Sequence, residues 1–214
     1  MPTRAVLFDF DGVIADTENI HVAAWERTFA AMGREVPAEV CARSAEEDDS
    51  LFLQSIFAET GVTDGDIEGW VKRKQASMLE MLTANPRVYP GFLELVEVLQ
   101  GKVSLAVVSG TWRENVIAVL RSASIESAFS LIVAKEDVKK FKPDPAAYVF
   151  ALKALGLEPR DALALEDSPT GLASAKDAGV RSLAIGHRRP PGPWVGDSLY
   201  LPGLRPVTAV LEQL

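Results

Sequence analysis

The sequence predicts an α/β fold in which a doubly wound parallel sheet carries an inserted helical domain. The first observation behind this prediction is a set of short runs in which every position is apolar, rather than every second one. Such runs are typical of strands that are covered on both faces, as in a parallel sheet. The predicted strands are residues 5–8, 103–108, 131–134, 162–165, 182–185 and, more weakly, 199–201.

The second observation is that helical patterns lie between the later apolar runs. These patterns cover residues 91–100, 113–122, 145–155 and 170–178. Asp144 and Ser168 each precede a proline and are predicted N-caps, because a side-chain oxygen there can accept a free backbone N–H. Gly156 and Gly179 stand where helices commonly end. Alternation of strand and helix predicts βαβ units and a doubly wound sheet.

The third observation is a long region, from about residue 17 to residue 83, that has only helical periodicity. Leu51, Phe52, Ile56 and Phe57 form one of its three predicted apolar stripes. We interpret residues 17–84 as a helical domain inserted after the first strand. Residues 1–16 and 85–214 then form the core domain, with 85–90 as the returning linker.

Composition narrows the possible functions. The chain has 214 residues, a net charge of −8 and one cysteine, Cys41, which excludes an intramolecular disulfide. The negative charge argues against nucleic-acid binding, which needs a basic face. The N-terminus does not resemble a signal peptide, and no stretch approaches the roughly 20 apolar residues of a membrane span. We expect a cytoplasmic protein, with no membrane and no protein partner predicted.

Acidic and hydroxyl side chains follow three of the predicted strands. Asp9 and Asp11 follow the first, Ser109 and Gly110 the second, and Glu166 and Asp167 the fourth. Ligands of open parallel sheets bind outside the carboxyl ends of the strands. The sequence therefore predicts a functional site at this edge.

Clustered carboxylates repel each other unless a cation lies between them. Mg²⁺ prefers hard oxygen ligands, which Asp9, Asp167 and Glu166 can supply. Asp9 is then placed to attack phosphorus as a nucleophile, and Asp11 to act as general acid and base. We predict a small phosphorylated metabolite as the substrate.

A phosphate also needs a fixed positive charge and hydrogen-bond donors. Lys142 lies just before Pro143, which restricts its backbone to extended conformations. Ser109 and the backbone N–H groups that open the next helix can donate to the same phosphate.

Four segments, in order, resemble the motifs of the haloacid dehalogenase superfamily. Residues 8–18 (FDFDGVIADTE) resemble the first motif, Ser109-Gly110 the second, Lys142-Pro143 the third and Glu166-Asp167 the fourth. Within the superfamily the chain is similar to the β-phosphoglucomutase-like phosphatases and sugar phosphomutases. The resemblance implies a Rossmann-like core, a helical cap, Mg²⁺, Asp9 as nucleophile and Asp11 as acid/base. The metal would be held by Asp9, Asp167, Glu166 and the backbone carbonyl of Asp11, and the phosphate by Ser109, Gly110 and Lys142.

The cap segment matches this group in part. Thr17, His21 and Trp25 fall where β-phosphoglucomutases have the same residue types, and Lys74 falls where a substrate-binding lysine is expected. The mutases also carry a Gly-x-Ser-Arg element beside the second phosphate of their substrate. Here residues 43–50 lack the glycine and are acidic, and we interpret 46–49 as a solvated helix start. Arg113 is the residue that can partly replace the missing charge.

Two functions remain open on the sequence. One is a phosphatase acting on a small sugar or polyol phosphate, and the other is a sugar phosphomutase that returns the phosphate to a different hydroxyl. The altered cap element favours hydrolysis. A dehalogenase is disfavoured because that chemistry needs no metal, and a non-catalytic module is disfavoured because no motif residue is missing.

Overall fold

The computed structural model describes residues 2–45, 48–61 and 66–214 of the chain. Within this part, six parallel strands form one sheet in the order β3-β2-β1-β4-β5-β6. The strands are β1 Ala5–Phe8, β2 Ser104–Val108, β3 Leu131–Val133, β4 Ala162–Glu166, β5 Arg181–Ile185 and β6 Leu199–Leu201. This order confirms the predicted doubly wound α/β fold, because the chain starts at the centre and winds outward in both directions.

The helices also follow the sequence pattern closely, and five of them lie between β1 and β2. The α-helices of the described residues are α1 Glu18–Ala31, α2 Ala38–Cys41, α3 Asp49–Thr60, α4 Ile67–Ala84, α5 Phe92–Leu99, α6 Arg113–Ser122, α7 Ala146–Leu155, α8 Pro169–Asp177 and α9 Val207–Leu211. The inserted cap, α1–α4, therefore follows β1 as predicted. The sequence pattern did not reveal the short helices α2 and α9.

Most predicted helix ends match the structure, but the N-cap of α7 is Pro145 and not Asp144. Ser168 Oγ accepts the Gly171 N–H at 3.0 Å and caps α8. Asp144 Oδ1 accepts the Ala146 N–H at 3.0 Å, so it serves the start of α7 one residue later than the pattern suggested. Gly156 follows α7 with a left-handed φ of 64°, a conformation that costs glycine little because it has no Cβ.

Both faces of the sheet are covered by apolar side chains, which explains the unbroken apolar runs. On one face Ala5 and Leu7 belong to the same buried cluster as Ala147 and Tyr148 of α7. On the other face, the ring of Phe8 packs edge-on against Phe92 of α5, with centroids 5.8 Å apart. Every residue of the central strands β1 and β4 is thus removed from water on whichever side it points.

The register of the three central strands brings their carboxyl ends to one edge. Phe8, the last residue of β1, pairs with Val107 of β2 and with Leu165 of β4. The next N–H, that of Asp9, donates to the Leu165 carbonyl at 2.9 Å. Residues that follow these strands must therefore lie side by side.

The described chain divides into two compact units. One contains residues up to Asp16 together with Arg87–Leu214, and the other contains Thr17–Pro86. In the second unit Trp25, Phe29, Phe52 and Trp70 form an aromatic core, with ring centroids 5.1–5.5 Å apart between several pairs. Leu51 was predicted to lie on this apolar face, but it is 58% exposed. That residues 17–84 and the rest of the chain are independent domains stays a prediction.

A buried ion pair joins α3 and α4 inside the second unit. Lys74 Nζ donates to both carboxylate oxygens of Asp49, at 2.9 and 3.0 Å, and to His21 Nδ1 at 2.9 Å. Trp25 Nε1 donates to the same carboxylate at 3.2 Å. The side chains of Lys74 and Asp49 are 1% and 9% exposed. Each charge therefore has its counter-charge and hydrogen-bond partners inside this unit.

The acidic stretch at 46–49 was predicted to be a solvated helix start, and the structure agrees with this only in part. Asp48 is the N-cap of α3, and its carboxylate accepts the Ser50 N–H at 2.9 Å. Asp49 is buried against Lys74, so the prediction is wrong for this residue, because its charge compensates a buried cation instead of facing water. Glu46 and Glu47 lie outside the described residues.

No helix in the described ranges combines the length and the apolar character that crossing a bilayer requires.

The buried pair yields a stability prediction. We expect Asp49→Asn to lower the free energy of unfolding of this unit by about 3 kcal/mol, because Lys74 is left as a buried charge without a counter-ion. Unfolding in urea is followed by tryptophan fluorescence, to which Trp25 and Trp70 of this unit contribute.

The matched control is Glu59→Gln, which breaks the exposed pair between Arg43 and Glu59 in the same unit. This substitution should cost less than about 1 kcal/mol. Equal losses for Asp49→Asn and Glu59→Gln would show that the Lys74–Asp49 pair is no more important than a surface pair.

Candidate active site

The loop after β1 is closed by hydrogen bonds between its own backbone groups. The N–H groups of Ile14 and Ala15 both donate to the Phe10 carbonyl at 2.9 Å, and Gly12 N–H donates to the Ala15 carbonyl at 3.0 Å. Gly12 has a φ of 79°, and a Cβ there would lie 1.8 Å from Asp167 Oδ2. Glycine is required at this position on both grounds. The close approach also shows that the loop of the first motif touches the acid of the fourth.

Lys142 connects the loop after β3 to the ends of three other strands, β1, β2 and β4. Its ammonium donates to Asp9 Oδ1 at 2.6 Å, to Glu166 Oε1 at 2.6 Å and to the Val108 carbonyl at 2.8 Å. An ammonium has three hydrogens, so these three acceptors define its orientation. The side chain is 11% exposed. Lys142 therefore holds a positive charge against Asp9, the predicted nucleophile.

The acids share a buried, negatively charged environment. Burial raises the pKa of Asp9 well above its usual value, and the charges of Glu166, Asp167 and Asp11 raise it further, while the Lys142 ammonium opposes them. Burial is also the largest cause that raises the pKa of Asp167, to about 7, followed by the charges of Glu166 and Asp11. Asp11 is thus close enough to influence both carboxylates, and a cation at this place would favour their ionised forms.

These acids fit a divalent metal ion such as Mg²⁺. One carboxylate oxygen from each of Asp9, Glu166 and Asp167 lies within 4.8 Å of the others. Asp11 adds a fourth acidic charge close to Asp9 and Asp167. Glu166 Oε2 is buried and accepts no hydrogen bond from any described residue. A hard cation suits this excess of negative oxygen ligands, and the donor set contains nothing softer.

The hydroxyl side of the site is built by the turn after β2. Ser109 is 2% exposed, and its N–H donates to the Val133 carbonyl at 2.9 Å. Its Oγ accepts the Thr111 N–H at 3.0 Å, which folds Gly110 outward at the exposed tip of the turn. The structure therefore brings Ser109 and Gly110 to the same strand edge as Asp9. Their contact with a phosphate stays a prediction.

Arg113, the first residue of α6, contacts two acids in the segment that follows β3. Its guanidinium pairs with Asp137, and its N–H donates to the Glu136 carboxylate at 3.2 Å. The side chain is 37% exposed. Its predicted role in holding a second phosphate is untested, and the pairing with Asp137 already neutralises part of its charge.

The predicted cap residues are grouped within the second unit. Thr17 is 2% exposed and forms the N-cap of α1, where its carbonyl accepts the N–H groups of Ile20 and His21. His21 and Lys74 are hydrogen-bonded to each other, and Lys74 also pairs with Asp49. Roles for Thr17, His21 and Lys74 in substrate binding stay predictions.

Two residues near the acids were not singled out from the sequence. Tyr148, in α7, is fully buried and its hydroxyl donates to Glu166 Oε1. Arg189, in the loop after β5, carries a positive charge that lowers the pKa of Asp167. Tyr148 could have been noticed as a buried aromatic with a polar end in a largely aliphatic helix, since such groups usually find a partner. The proline-rich surroundings of Arg189 gave no comparable signal.

In the absence of metal, the raised pKa of Asp167 predicts that the stability contributed by this group falls as pH rises. The folded chain holds this proton up to pH 7 and the unfolded chain only up to about 3.9. This group therefore lowers the free energy of unfolding as pH rises between these two values. In EDTA, Asp167→Asn should be more stable than the wild type at pH 8 and should lose that advantage towards pH 4.

The measurement is a melting temperature against pH for both proteins, repeated with Mg²⁺. The variant should also need a higher Mg²⁺ concentration for the same stabilisation. An advantage of Asp167→Asn that does not change with pH would contradict the raised pKa, and an unchanged Mg²⁺ response would remove Asp167 from the metal ligands.

Comparison with known proteins places this site in a family. Residues 6–185 match the family model of the haloacid dehalogenase-like hydrolases. The chain is 28% identical to the phosphorylated carbohydrates phosphatase of Thermotoga maritima, over 84% of this chain and 83% of the relative. It is 29% identical to the β-phosphoglucomutase of Bacillus subtilis, over 87% and 85%. The crystal structure of CbbY from Rhodobacter sphaeroides in complex with phosphate is similar with a TM-score of 0.84, at 28% identity and 96% coverage of both chains.

The family match covers most of the chain and includes all four motifs. The protein belongs to the haloacid dehalogenase-like hydrolases, in their β-phosphoglucomutase/CbbY-like group.

Proposed function

We propose that this protein is a Mg²⁺-dependent phosphatase that hydrolyses a small sugar or polyol phosphate through an aspartyl-phosphate on Asp9. The observation that carries the proposal is the position of Lys142, whose ammonium lies 2.6 Å from Asp9 Oδ1 within a cluster of carboxylates. A carboxylate whose ionised form is favoured by an adjacent fixed cation is suited to nucleophilic attack.

The proposed reaction has two displacement steps. In the first, an oxygen of Asp9 forms a bond to phosphorus, the bond from phosphorus to the substrate oxygen breaks, and Asp11 gives that oxygen a proton. In the second, Asp11 takes a proton from water, the water oxygen attacks phosphorus, and the bond to Asp9 breaks. Inorganic phosphate is released and both aspartates return to their starting state.

The remaining residues bind and orient the phosphate. Lys142 compensates negative charge beside Asp9 and keeps its carboxylate in one orientation. The Ser109 oxygen accepts the Thr111 N–H, so its own hydrogen can be donated to a phosphate oxygen. Mg²⁺ held by Asp9, Asp167, Glu166 and the Asp11 carbonyl would supply positive charge that offsets the charge of the transferring group.

Two features favour hydrolysis over a mutase reaction. Residues 43–50 are acidic and lack the glycine of the mutase element, which is unfavourable for a second phosphate group. In addition, both oxygens of Asp49 accept hydrogen bonds from Lys74, so the charge of this lysine is already compensated. A bisphosphate needs uncompensated cations at both of its ends. The relative from Thermotoga maritima, a phosphorylated carbohydrates phosphatase, supports the same choice.

A screen of phosphorylated metabolites in the presence of Mg²⁺ tests the proposal. It should include β-glucose 1-phosphate with a trace of the 1,6-bisphosphate, and both free phosphate and glucose 6-phosphate should be followed. We expect free phosphate from one or a few sugar or polyol phosphates. Glucose 6-phosphate that forms without matching free phosphate would identify a mutase instead.

The nucleophile is tested by Asp9→Asn. We expect turnover to fall by at least roughly 1,000-fold, because the amide keeps the volume of the side chain but cannot form the phosphoenzyme. Asp197→Asn is a matched control, because it makes the same change at an exposed acid. Asp197 forms a surface ion pair with Lys176. The control should retain wild-type turnover. Activity of Asp9→Asn within tenfold of the wild type would rule out Asp9 as the nucleophile.

A further inference from the structure

We propose that Tyr148 is a positioning residue, whose hydroxyl holds the Glu166 carboxylate in the orientation that the acidic cluster needs for Mg²⁺. Tyr148 lies outside the four motifs, in the first turn of α7. The inference rests on the proposed use of Mg²⁺ at Asp9, Glu166 and Asp167. It adds a residue that acts on this cluster through its hydrogen bond to Glu166 and does not itself touch the substrate.

The first observation is that one oxygen of Glu166 receives two donors. Glu166 is the last residue of β4 and is fully buried. Its Oε1 accepts hydrogen bonds from both Lys142 Nζ, at 2.6 Å, and the Tyr148 hydroxyl. A phenol is protonated at neutral pH and donates to an ionised carboxylate. The two donors approach from different elements, so together they restrict rotation of the carboxylate.

The second observation concerns the other oxygen of Glu166. A Cβ on Gly171 would lie 1.8 Å from Oε2, so this oxygen lies directly against the first turn of α8. No described residue donates a hydrogen bond to it. The carboxylate is therefore held by donors at Oε1 alone, while Oε2 is limited only by the close approach of Gly171. If the Tyr148 hydroxyl is removed, Lys142 is the one donor that remains on this carboxylate among the described residues.

The third observation is that Tyr148 also contacts Lys142. The ammonium lies 5.4 Å from the centroid of the Tyr148 ring, within cation–π distance. The same ammonium donates to Asp9 Oδ1 and to the Val108 carbonyl. Tyr148 thus faces both members of the Lys142–Glu166 pair, with its ring towards the cation and its hydroxyl towards the acid. Loss of the hydroxyl alone separates the two effects.

These contacts connect Tyr148 to the affinity for a cation. The oxygens of Asp9, Glu166 and Asp167 must lie close together to share one ion, and Glu166 is the one whose orientation Tyr148 constrains. Groups that orient metal ligands typically change metal affinity about 10- to 100-fold when they are removed. Because the hydroxyl is one of two donors to Oε1, we expect the lower end of this range.

The test is Tyr148→Phe, which keeps the buried ring and removes only the hydroxyl. Melting temperatures are measured against MgCl₂ concentration at constant ionic strength, which gives an apparent Kd for Mg²⁺ without any turnover. We expect the Kd to rise roughly 10-fold. Ser174→Ala is the matched control, because Ser174 is equally buried and its hydroxyl donates to the Asp144 carbonyl at 2.7 Å. The control should lower the melting temperature but leave the Kd unchanged.

A double-mutant cycle with Glu166→Gln distinguishes positioning from general destabilisation. If Tyr148 acts through Glu166, Tyr148→Phe should change the Kd in the wild type but not in the Glu166→Gln background. An equal change in both backgrounds, no change in either, or a wild type without Mg²⁺ stabilisation would each overturn the inference.

Because no step of this test needs a substrate, its outcome is separate from that of the proposed function. A protein that releases phosphate from no metabolite, yet shows the expected cycle, would retain the role of Tyr148 and lose the phosphatase assignment.

Discussion

The contact of the Lys142 ammonium with Asp9 and Glu166 is the interaction on which the candidate active site depends. The sheet brings the carboxyl ends of β1, β2 and β4 together, and with them four acids. Two unit charges about 4 Å apart interact by roughly 4 kcal/mol near a protein surface. One ammonium with two carboxylate partners cannot compensate all four acids. The remaining negative charge leaves the site suited to a cation, while Lys142 orients Asp9.

Lys74 and Lys142, whose side chains are 1% and 11% exposed, show how charge balance distinguishes two kinds of site. Lys74 faces one acid, Asp49, and the pair is completed by hydrogen bonds from Trp25 and to His21. Lys142 faces an excess of acids, and one carboxylate oxygen of Glu166 accepts no hydrogen bond from the described residues. Buried charge with matched partners stabilises an orientation, whereas buried charge in excess requires a ligand.

Much of the site could be predicted because strand ends are visible in the sequence. Asp9, Ser109 and Glu166 follow or end apolar runs, and parallel strands deliver such residues to one edge. Lys142 was found through its proline and its motif. Tyr148 and Arg189 were missed because they reach the acids only through packing of α7 and through the course of a long loop. Leu51 and Asp49 were misjudged, since helical periodicity does not tell which polar residue has a buried partner.

The sequence by itself determined the order of the strands and of most helices, the insertion of a helical segment after β1, and the residues that follow the central strands. These features depend on local patterns, such as apolar runs, proline and glycine positions and capping side chains, which act over a few residues. Only the tertiary structure decided that Lys142 meets both Asp9 and Glu166, that Tyr148 donates to Glu166, and that Lys74 is paired with Asp49. Such pairings join residues separated by 18 to 133 positions, and they follow from how the elements pack in space.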